Sequence, residues 1–170
     1  MATARALAMT VTSGEFAFAA ETYNPEQTEA EYIANDVEDI TGTDDVIKEV
    51  CENDNAFEVD GAVDVEIPKS SDPIVLGEDR IAMELPEITD DYEGIMTNDG
   101  TVVYGKDDDK ASVAVQATQD EYGTVTGART LVTINDATAD KSYEYKFDLK
   151  DGQKLIFAED YYQEFPTEED

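Results

Sequence analysis

Three consecutive aspartates, Asp107, Asp108 and Asp109, stand between Lys106 and Lys110, with an apolar run on each side. Calcium prefers oxygen ligands, and oxygen-rich loops bind it weakly where the ion is supplied at millimolar concentration. Aspartate is also favoured in turns, because its side chain accepts hydrogen bonds from the nearby backbone. The triplet therefore predicts either weak structural calcium ligation or the tip of a hairpin, and the flanking apolar runs favour the hairpin.

Other loops are rich in aspartate and asparagine as well, at 53–55, 90–91 and 98–99. An EF-hand loop needs oxygen ligands at alternate positions, a glycine at the sixth position and a glutamate at the twelfth. No stretch of this chain has that pattern. Beyond weak structural calcium, the sequence predicts no cofactor.

The residues that most often carry out catalysis are scarce. The chain has no histidine, no tryptophan and one cysteine, Cys51, which we expect on a helix and partly buried. Without histidine there is no Ser-His triad and no His-bearing zinc site. No G-x-S-x-G elbow, phosphate-binding glycine loop or Cys-x-x-Cys is present either. We therefore expect a protein that is not an enzyme.

Paired carboxylates are the one catalytic arrangement that stays open. A glycosidase needs two acids roughly 5 to 9 Å apart on either side of the scissile bond. With 42 acidic residues, such pairs arise without any function. A carboxylate-based hydrolase is therefore kept as an alternative that has no candidate residues of its own.

The charge of the chain is strongly negative. There are 42 acidic and 11 basic residues, giving a formal net charge of −31, and the acids are spread along the whole length. Such a surface repels phosphate groups and anionic lipids, so direct binding of nucleic acid or of a membrane surface is not expected. Two explanations remain: a solvated extracellular or salt-adapted surface, or an acidic decoy that mimics nucleic acid and binds a basic protein.

Aromatic residues suggest a place for a partner. Tyr161, Tyr162 and Phe165 are close together just before the acidic end of the chain. Exposed aromatic side chains commonly bind proteins or glycans, although the same residues can also close one end of a core. We expect a protein or glycan partner at these positions if they are exposed.

Residues 1–19 have the order of a secretory signal. A positive charge at Arg5 precedes a mostly small and apolar run, which ends in Ala17, Phe18 and Ala19. Cleavage after Ala19 is predicted, and with it a secreted or cell-surface location. An ordinary N-terminal segment is the alternative. No window reaches the ~20 apolar residues of a membrane span, so no membrane insertion is expected after cleavage.

A helical segment is predicted over 20–54. Pro25 suits the first position of a helix, and Ile33, Val37 and Ile40 fall at i, i+4 and i+7 on one face. A second short helix is predicted from Asp44 to about 52.

From Ala56 onward, apolar residues recur at every second position, which is typical of strands in antiparallel sheets. Turn residues interrupt the pattern at short intervals. We therefore predict an antiparallel β-sandwich or barrel of about seven or eight strands over 55–163, preceded by two short helices and followed by an acidic tail at 164–170. The expected strands are 63–67, 73–77, 81–85, 101–105, 111–118, 128–135, 143–149 and 154–158.

Four segments of this chain resemble segments that occur in the same order in a group of bacterial proteins. They read VDVEIP at 63–68, PIVLGEDRIAMELP at 73–86, NDGTVVYG at 98–105 and a pair of strands at 113–149. In this order they resemble uncharacterised secreted proteins of Gram-positive bacteria, particularly actinobacteria. The resemblance implies export and a β-rich module, and it carries no catalytic residues. The expected function is that of a secreted or cell-surface non-enzymatic β domain with a structural or recognition role.

Overall fold

A computed structural model describes residues 25–42, 50–78 and 80–156. The predicted signal at 1–19, the aromatic residues Tyr161, Tyr162 and Phe165, and the acidic tail lie outside these residues. The described part contains one α-helix and ten strands. They are α1 (Pro25–Thr41), β1 (Cys51–Glu52), β2 (Ala56–Val59), β3 (Val65–Pro68), β4 (Ile74–Leu76), β5 (Ile81–Glu84), β6 (Ile95–Met96), β7 (Val102–Tyr104), β8 (Ala111–Gln119), β9 (Val125–Ile134) and β10 (Lys146–Asp148).

Helix α1 begins and ends where its sequence dictates. Pro25 is the first helical residue, where its missing N–H group leaves no bond unmade, and Glu26 in the first turn faces the positive end of the helix dipole. At the other end Gly42 has a φ of 64°, and its N–H donates to the Glu38 carbonyl at 2.7 Å. Glycine adopts this left-handed conformation without a steric penalty, so the helix ends there.

The buried face of α1 follows the expected helical spacing with one exception. Ala30, Ile33, Ala34 and Val37 are buried, whereas Ile40 is 82% exposed. The prediction that Ile40 belongs to this face is wrong. Its angle around the helix agrees with that of Ile33, but in the last turn the helix contacts the sheet through a polar side chain and not through apolar ones.

The second predicted helix is not confirmed. Residues 44–49 lie outside the described part, and the expected end of this helix is wrong because Cys51 and Glu52 form β1. They pair antiparallel with Glu58 and Phe57 of β2. Cys51 is exposed on this edge strand, so its prediction as a helix-borne, partly buried thiol is also wrong. Pairing with a neighbouring strand overrides a local helical pattern.

The strands form two antiparallel sheets. The first has the order β1-β2-β3-β4-β5-β10, and the second has the order β6-β7-β8-β9. The predicted mainly β, antiparallel class is confirmed, with ten strands instead of seven or eight. Observed strands lie within or overlap the predicted ranges 63–67, 73–77, 81–85, 101–105, 111–118 and 128–135.

Residues 143–149 have the clearest alternation of apolar and polar side chains in the sequence, but only a short part of this segment forms a strand. Of 143–149 only Lys146–Asp148 is a strand, and Phe147, expected on a dry face, is 36% exposed. Strand β10 lies at the edge of the first sheet, so neighbours cover its side chains only in part. Residues 154–156 of the expected last strand are not strand, and the remainder lies outside the described part.

One apolar core is shared by both sheets. Alternate residues of the second sheet point to opposite sides: Tyr104 packs against the first sheet, whereas Val103 packs against Ala30, Ile33 and Ala34 of α1. The second sheet is therefore covered on both faces, which explains the run of six buried residues in its central strand β8. The shared core is formed by Phe57, Val59, Val65, Ile67, Ile74, Met83, Leu85, Val102, Tyr104, Val113, Val115, Ala117 and Val125.

Candidate functional site

The aspartate triplet lies in the loop between β7 and β8, which are antiparallel neighbours. The Lys106 N–H donates to Oδ2 of Asp109 at 2.7 Å, and the Asp109 N–H donates back to the Lys106 carbonyl at 3.1 Å. These two bonds close the turn in the way expected of aspartate. The interpretation of the triplet as a hairpin loop is confirmed.

Two further contacts attach this loop to the rest of the molecule. The Asp107 N–H donates to Oε1 of Glu29 on α1 at 3.0 Å. The Tyr92 hydroxyl donates to the Asp109 carboxylate, and this bond, together with burial, raises the pKa of Tyr92 to about 12. The Asp109 carboxylate therefore has two protein donors.

The described residues show no group of three or more acidic or thiol side chains able to hold a metal ion. Asp107 and Asp108 are exposed, and Asp109 is turned toward Lys106 and Tyr92. Calcium ligation by Asp107, Asp108 and Asp109 stays a prediction.

A groove of about 470 Å³ lies beside the triplet loop. Its walls come from the first turns of α1, from β1 and β2, from the residue that follows β3, from β6 with the segment that leads into it, and from the start of the β7–β8 loop. Tyr92 thus contributes to the groove and also contacts the triplet loop. The lining residues are Glu26, Glu29, Glu52, Phe57, Lys69, Asp91, Tyr92, Glu93, Gly94, Ile95, Met96, Gly105 and Lys106.

The groove is anionic. Five carboxylates line it against two lysines, a difference of three negative charges, and the lysines are Lys69 and Lys106. Concave walls of one charge sign concentrate the electrostatic potential and attract the opposite charge. The arrangement therefore suits a cationic ligand.

The groove already holds one cation of its own chain. Nζ of Lys69 lies 2.7 Å from Oε1 of Glu52 and 5.2 Å from the ring centroid of Phe57. A carboxylate and an aromatic face are the two groups that bind ammonium and guanidinium best in proteins. The contact between Lys69, Glu52 and Phe57 thus shows the chemistry that the lining offers.

Because Gly94 has no side chain, the backbone of the groove wall at this residue packs directly against the core residue Tyr104. Its N–H donates to the Lys69 carbonyl at 2.8 Å, and a Cβ atom on it would lie 2.8 Å from Cε1 of Tyr104. Tyr104 is held in turn by a hydrogen bond from its hydroxyl to the Pro68 carbonyl. Burial raises the pKa of Tyr104, so its hydroxyl stays a donor.

A second group of polar side chains lies between α1 and the second sheet. Oε1 of Glu38 accepts hydrogen bonds from Oγ1 of Thr101 at 2.9 Å and from Nε2 of Gln116 at 3.1 Å. Burial raises the pKa of Glu38; the Thr101 hydroxyl opposes this rise and the nearby charge of Asp99 adds to it. Glu38 does not line the groove, and its two hydrogen bonds join α1 to the second sheet, so we assign it to attachment of the helix.

Sequence patterns could not have revealed the groove. Its lining comes from six separate parts of the chain, and only their fold brings them together. Asp91 belongs to a cluster that turn propensity alone explains, and Lys69 and Phe57 carry no motif. The predicted partner residues Tyr161, Tyr162 and Phe165 lie outside the described part.

Comparisons with protein-family models, with curated proteins and with solved structures give no match. The resemblance to secreted proteins of Gram-positive bacteria thus stays a prediction. Within the described ranges no helix has the length and apolar character needed to cross a membrane.

Proposed function

We propose that this chain is a secreted or cell-surface, non-enzymatic β domain that acts in recognition, and that its acidic groove binds a cationic group of a partner. The observation that carries the proposal is the contact of Lys69 with Glu52 and Phe57 inside a groove whose other carboxylates outnumber its cations. A lysine or arginine side chain of a partner protein meets the same two kinds of group there.

The proposed architecture is a β-sandwich. Support comes from the core that both sheets share, in which Ile67 and Ile74 of the first sheet and Val113 and Val115 of the second are all buried. Packed sheets of this kind place their loops at the ends of the domain, where binding residues are common. Loop residues form part of the groove, at Lys69, at 91–94 and at 105–106, and the remainder of its lining belongs to α1 and to strands.

A carboxylate-based hydrolase is less well supported. It requires a cleft in which one acid has a raised pKa beside a second carboxylate. Among the described residues, the carboxyl group with a raised pKa is that of Glu38, and it is held by Thr101 and Gln116 beneath α1, outside the groove.

The acidic decoy is also less well supported. A mimic of nucleic acid needs carboxylates on one continuous face at spacings near those of phosphates. Exposed acids occur instead on α1, on the first sheet and in loops, for example at Asp36, Glu58, Glu84, Asp108 and Glu121. This spread favours a solvated surface that has one local binding groove.

The groove can be tested with a hexalysine peptide as the probe, titrated into the isotope-labelled full chain and followed by NMR. We expect shifts at the groove residues, and an affinity about tenfold lower for the double variant Asp91→Asn/Glu93→Gln, which corresponds to about 1.4 kcal/mol. The matched control is Asp36→Asn/Asp39→Asn, which removes the same charge from the exposed side of α1. Equal weakening in both variants would mean general charge attraction and would contradict the proposal.

Export is tested separately. Production of the full chain in a Gram-positive host should yield protein in the medium that begins at Ala20, as measured by intact mass. Protein that stays in the cytoplasm with residues 1–19 attached would contradict export. This result would leave the groove proposal unchanged, because the groove lies entirely within the described part.

A further inference from the structure

Strand β9 is the one long sheet edge in the described part of the chain. It has ten residues, and β8 is the one strand that pairs with it among the described residues. At its first residue the Val125 carbonyl accepts the Val63 N–H at 3.1 Å, so the open part of this edge begins after Val125. The other edge strands, β1, β6 and β10, have only two or three residues each. The outer edge of β9 therefore offers the longest row of backbone N–H and C=O groups for pairing.

Long edges are usually protected by charges, proline or bulges. Strand β9 has no proline and no acid, and no acidic residue occurs from 122 to 135 in a chain that has 42 of them. Its one charged residue, Arg129, donates from Nε to Oε1 of Gln116 at 2.8 Å, so this side chain lies over the neighbouring strand. The bulge at Thr118 and Gln119 leaves Ala128–Ile134 in regular register.

The β8–β9 turn, which lies at one end of this edge, is negatively charged. Exposed Asp120 and Glu121 form the β8–β9 turn, and no basic residue occurs between Lys110 and Arg129. The Asp120 carboxylate organises the turn by accepting the N–H groups of Tyr122 and Thr124, both at 2.9 Å. An uncharged edge thus leads to a negatively charged corner.

The side chains along the edge are partly covered on both faces. Val132 lies opposite Val113 and packs against the shared core, whereas Leu131 lies opposite Ala114 on the side of α1. Both are half-buried, as are Thr130 and Thr133. A further strand would cover these residues from the side.

We propose that the outer edge of β9 adds an extended segment of a partner protein as a fifth strand of the second sheet. The segment runs antiparallel to β9, is uncharged and β-branched opposite Ala128–Ile134, and carries lysine or arginine at its carboxyl end, where it meets Glu121. A second copy of this chain is the less favourable occupant, because each copy carries a formal charge of −31. This site is independent of the acidic groove.

The probe is a peptide of alternating threonine and valine that ends in two lysines, mixed with the full chain and followed by amide hydrogen exchange. Strand addition slows exchange at alternate residues within Ala128–Ile134, since every second N–H of an edge strand points outward. The same peptide with alternate backbone amides N-methylated keeps its charge and side chains but cannot complete the ladder. We expect it to bind at least about tenfold more weakly.

Two variants test the predicted charge contact. Glu121→Gln should weaken binding of the peptide several-fold, whereas Glu78→Gln in the turn after β4 should leave it unchanged. Four results would overturn the proposal: equal binding of the N-methylated peptide, protection that maps to the acidic groove, absence of binding at millimolar peptide, or edge amides of β9 that already exchange slowly in the chain alone. The last result would mean that a segment of the chain or a second copy covers the edge.

Discussion

Glu38 shows at the scale of one residue how burial and charge set a pH dependence. Its carboxylate lies between α1 and the second sheet, and burial raises its pKa above the usual value of 4.5. A group whose pKa is higher in the folded state stabilises the fold fully below its unfolded pKa. This stabilisation is lost as the pH rises through the folded pKa. Attachment of α1 should therefore weaken from about pH 4.5 upward.

The variant Glu38→Gln removes this ionisation but keeps the oxygen that accepts from Thr101 and Gln116. We expect it to be more stable than the wild type at pH 8, because it removes the ionised form that burial disfavours. At pH 4 the two should be equal. Urea unfolding at both pH values measures this difference, with Asp39→Asn on the exposed side of α1 as the control. A Glu38→Gln variant that is less stable at pH 8 would refute the pH dependence.

The triplet loop gives a second residue-scale prediction. Asp109→Ala removes the acceptor used by Lys106 and Tyr92, so it should destabilise the chain by about 1 to 2 kcal/mol. Asp108→Ala, at an exposed position, should change stability by less than about 0.5 kcal/mol. Thermal melts of both variants in metal-free buffer measure the difference, and equal effects would contradict the assignment.

The same melts repeated in millimolar calcium test ligation by the triplet. A rise in Tm for the wild type that Asp108→Ala abolishes would support the calcium prediction, because this variant removes only an exposed carboxylate. A rise that persists in the variant would place the ion elsewhere. No rise at all would count against calcium at this loop.

At the scale of elements, helix α1 was predictable because its signals are local. Proline at its start, glycine after its end and the helical spacing of its apolar residues all lie within one segment. What the spacing could not show is where the covering sheet ends. Ile33 and Ile40 share an angle around the helix, but only Ile33 faces apolar side chains of the sheet.

This pair of isoleucines provides a matched test. Ile33→Ala should destabilise the chain by about 2 kcal/mol or more, because it leaves a cavity between α1 and Val103. Ile40→Ala should change stability by less than about 0.5 kcal/mol, since that side chain is 82% exposed. Chemical denaturation monitored by circular dichroism compares the two. Similar losses would mean that Ile40 is covered in solution.

The strands were predictable in proportion to their length and to the number of covered faces. Strand β8 has nine residues, of which six in succession are buried, and it is recognised from its apolar run. Strands β1 and β6 have two residues each and show no periodicity at all. In 143–149 the alternation is strict, but alternation produces a strand only where a neighbour pairs along its whole length, and β5 pairs with three of those residues.

The groove was beyond sequence analysis for a different reason. Its contacts join residues far apart in the chain, such as Lys69 with Glu52 and Asp107 with Glu29. The hairpin loop was foreseen because a turn is made by neighbouring residues. A binding site at loop ends depends on the packing of whole elements, and charge alone, spread over 42 acids, could not single it out.

At the scale of the whole molecule, negative charge is poorly compensated. The described residues contain three ion pairs, Lys69–Glu52, Arg80–Glu66 and Lys146–Glu84, and the last two are largely exposed. Exposed pairs contribute little to stability. The chain has a formal net charge of −31, and the repulsion among these negative charges opposes the compact state.

Salt should therefore stabilise the fold by screening this repulsion. The Debye length falls to about 8 Å at 0.15 M ionic strength, so most of the gain should appear by about 0.2 M sodium chloride. We expect Tm to rise by about 3 °C or more over this range, which corresponds to roughly 1 kcal/mol in a chain of this size. Potassium chloride should act equally, because screening depends on ionic strength and not on the cation. A Tm that keeps rising toward molar salt would indicate salt adaptation, whereas a Tm that falls with salt would mean that ion pairs outweigh self-repulsion.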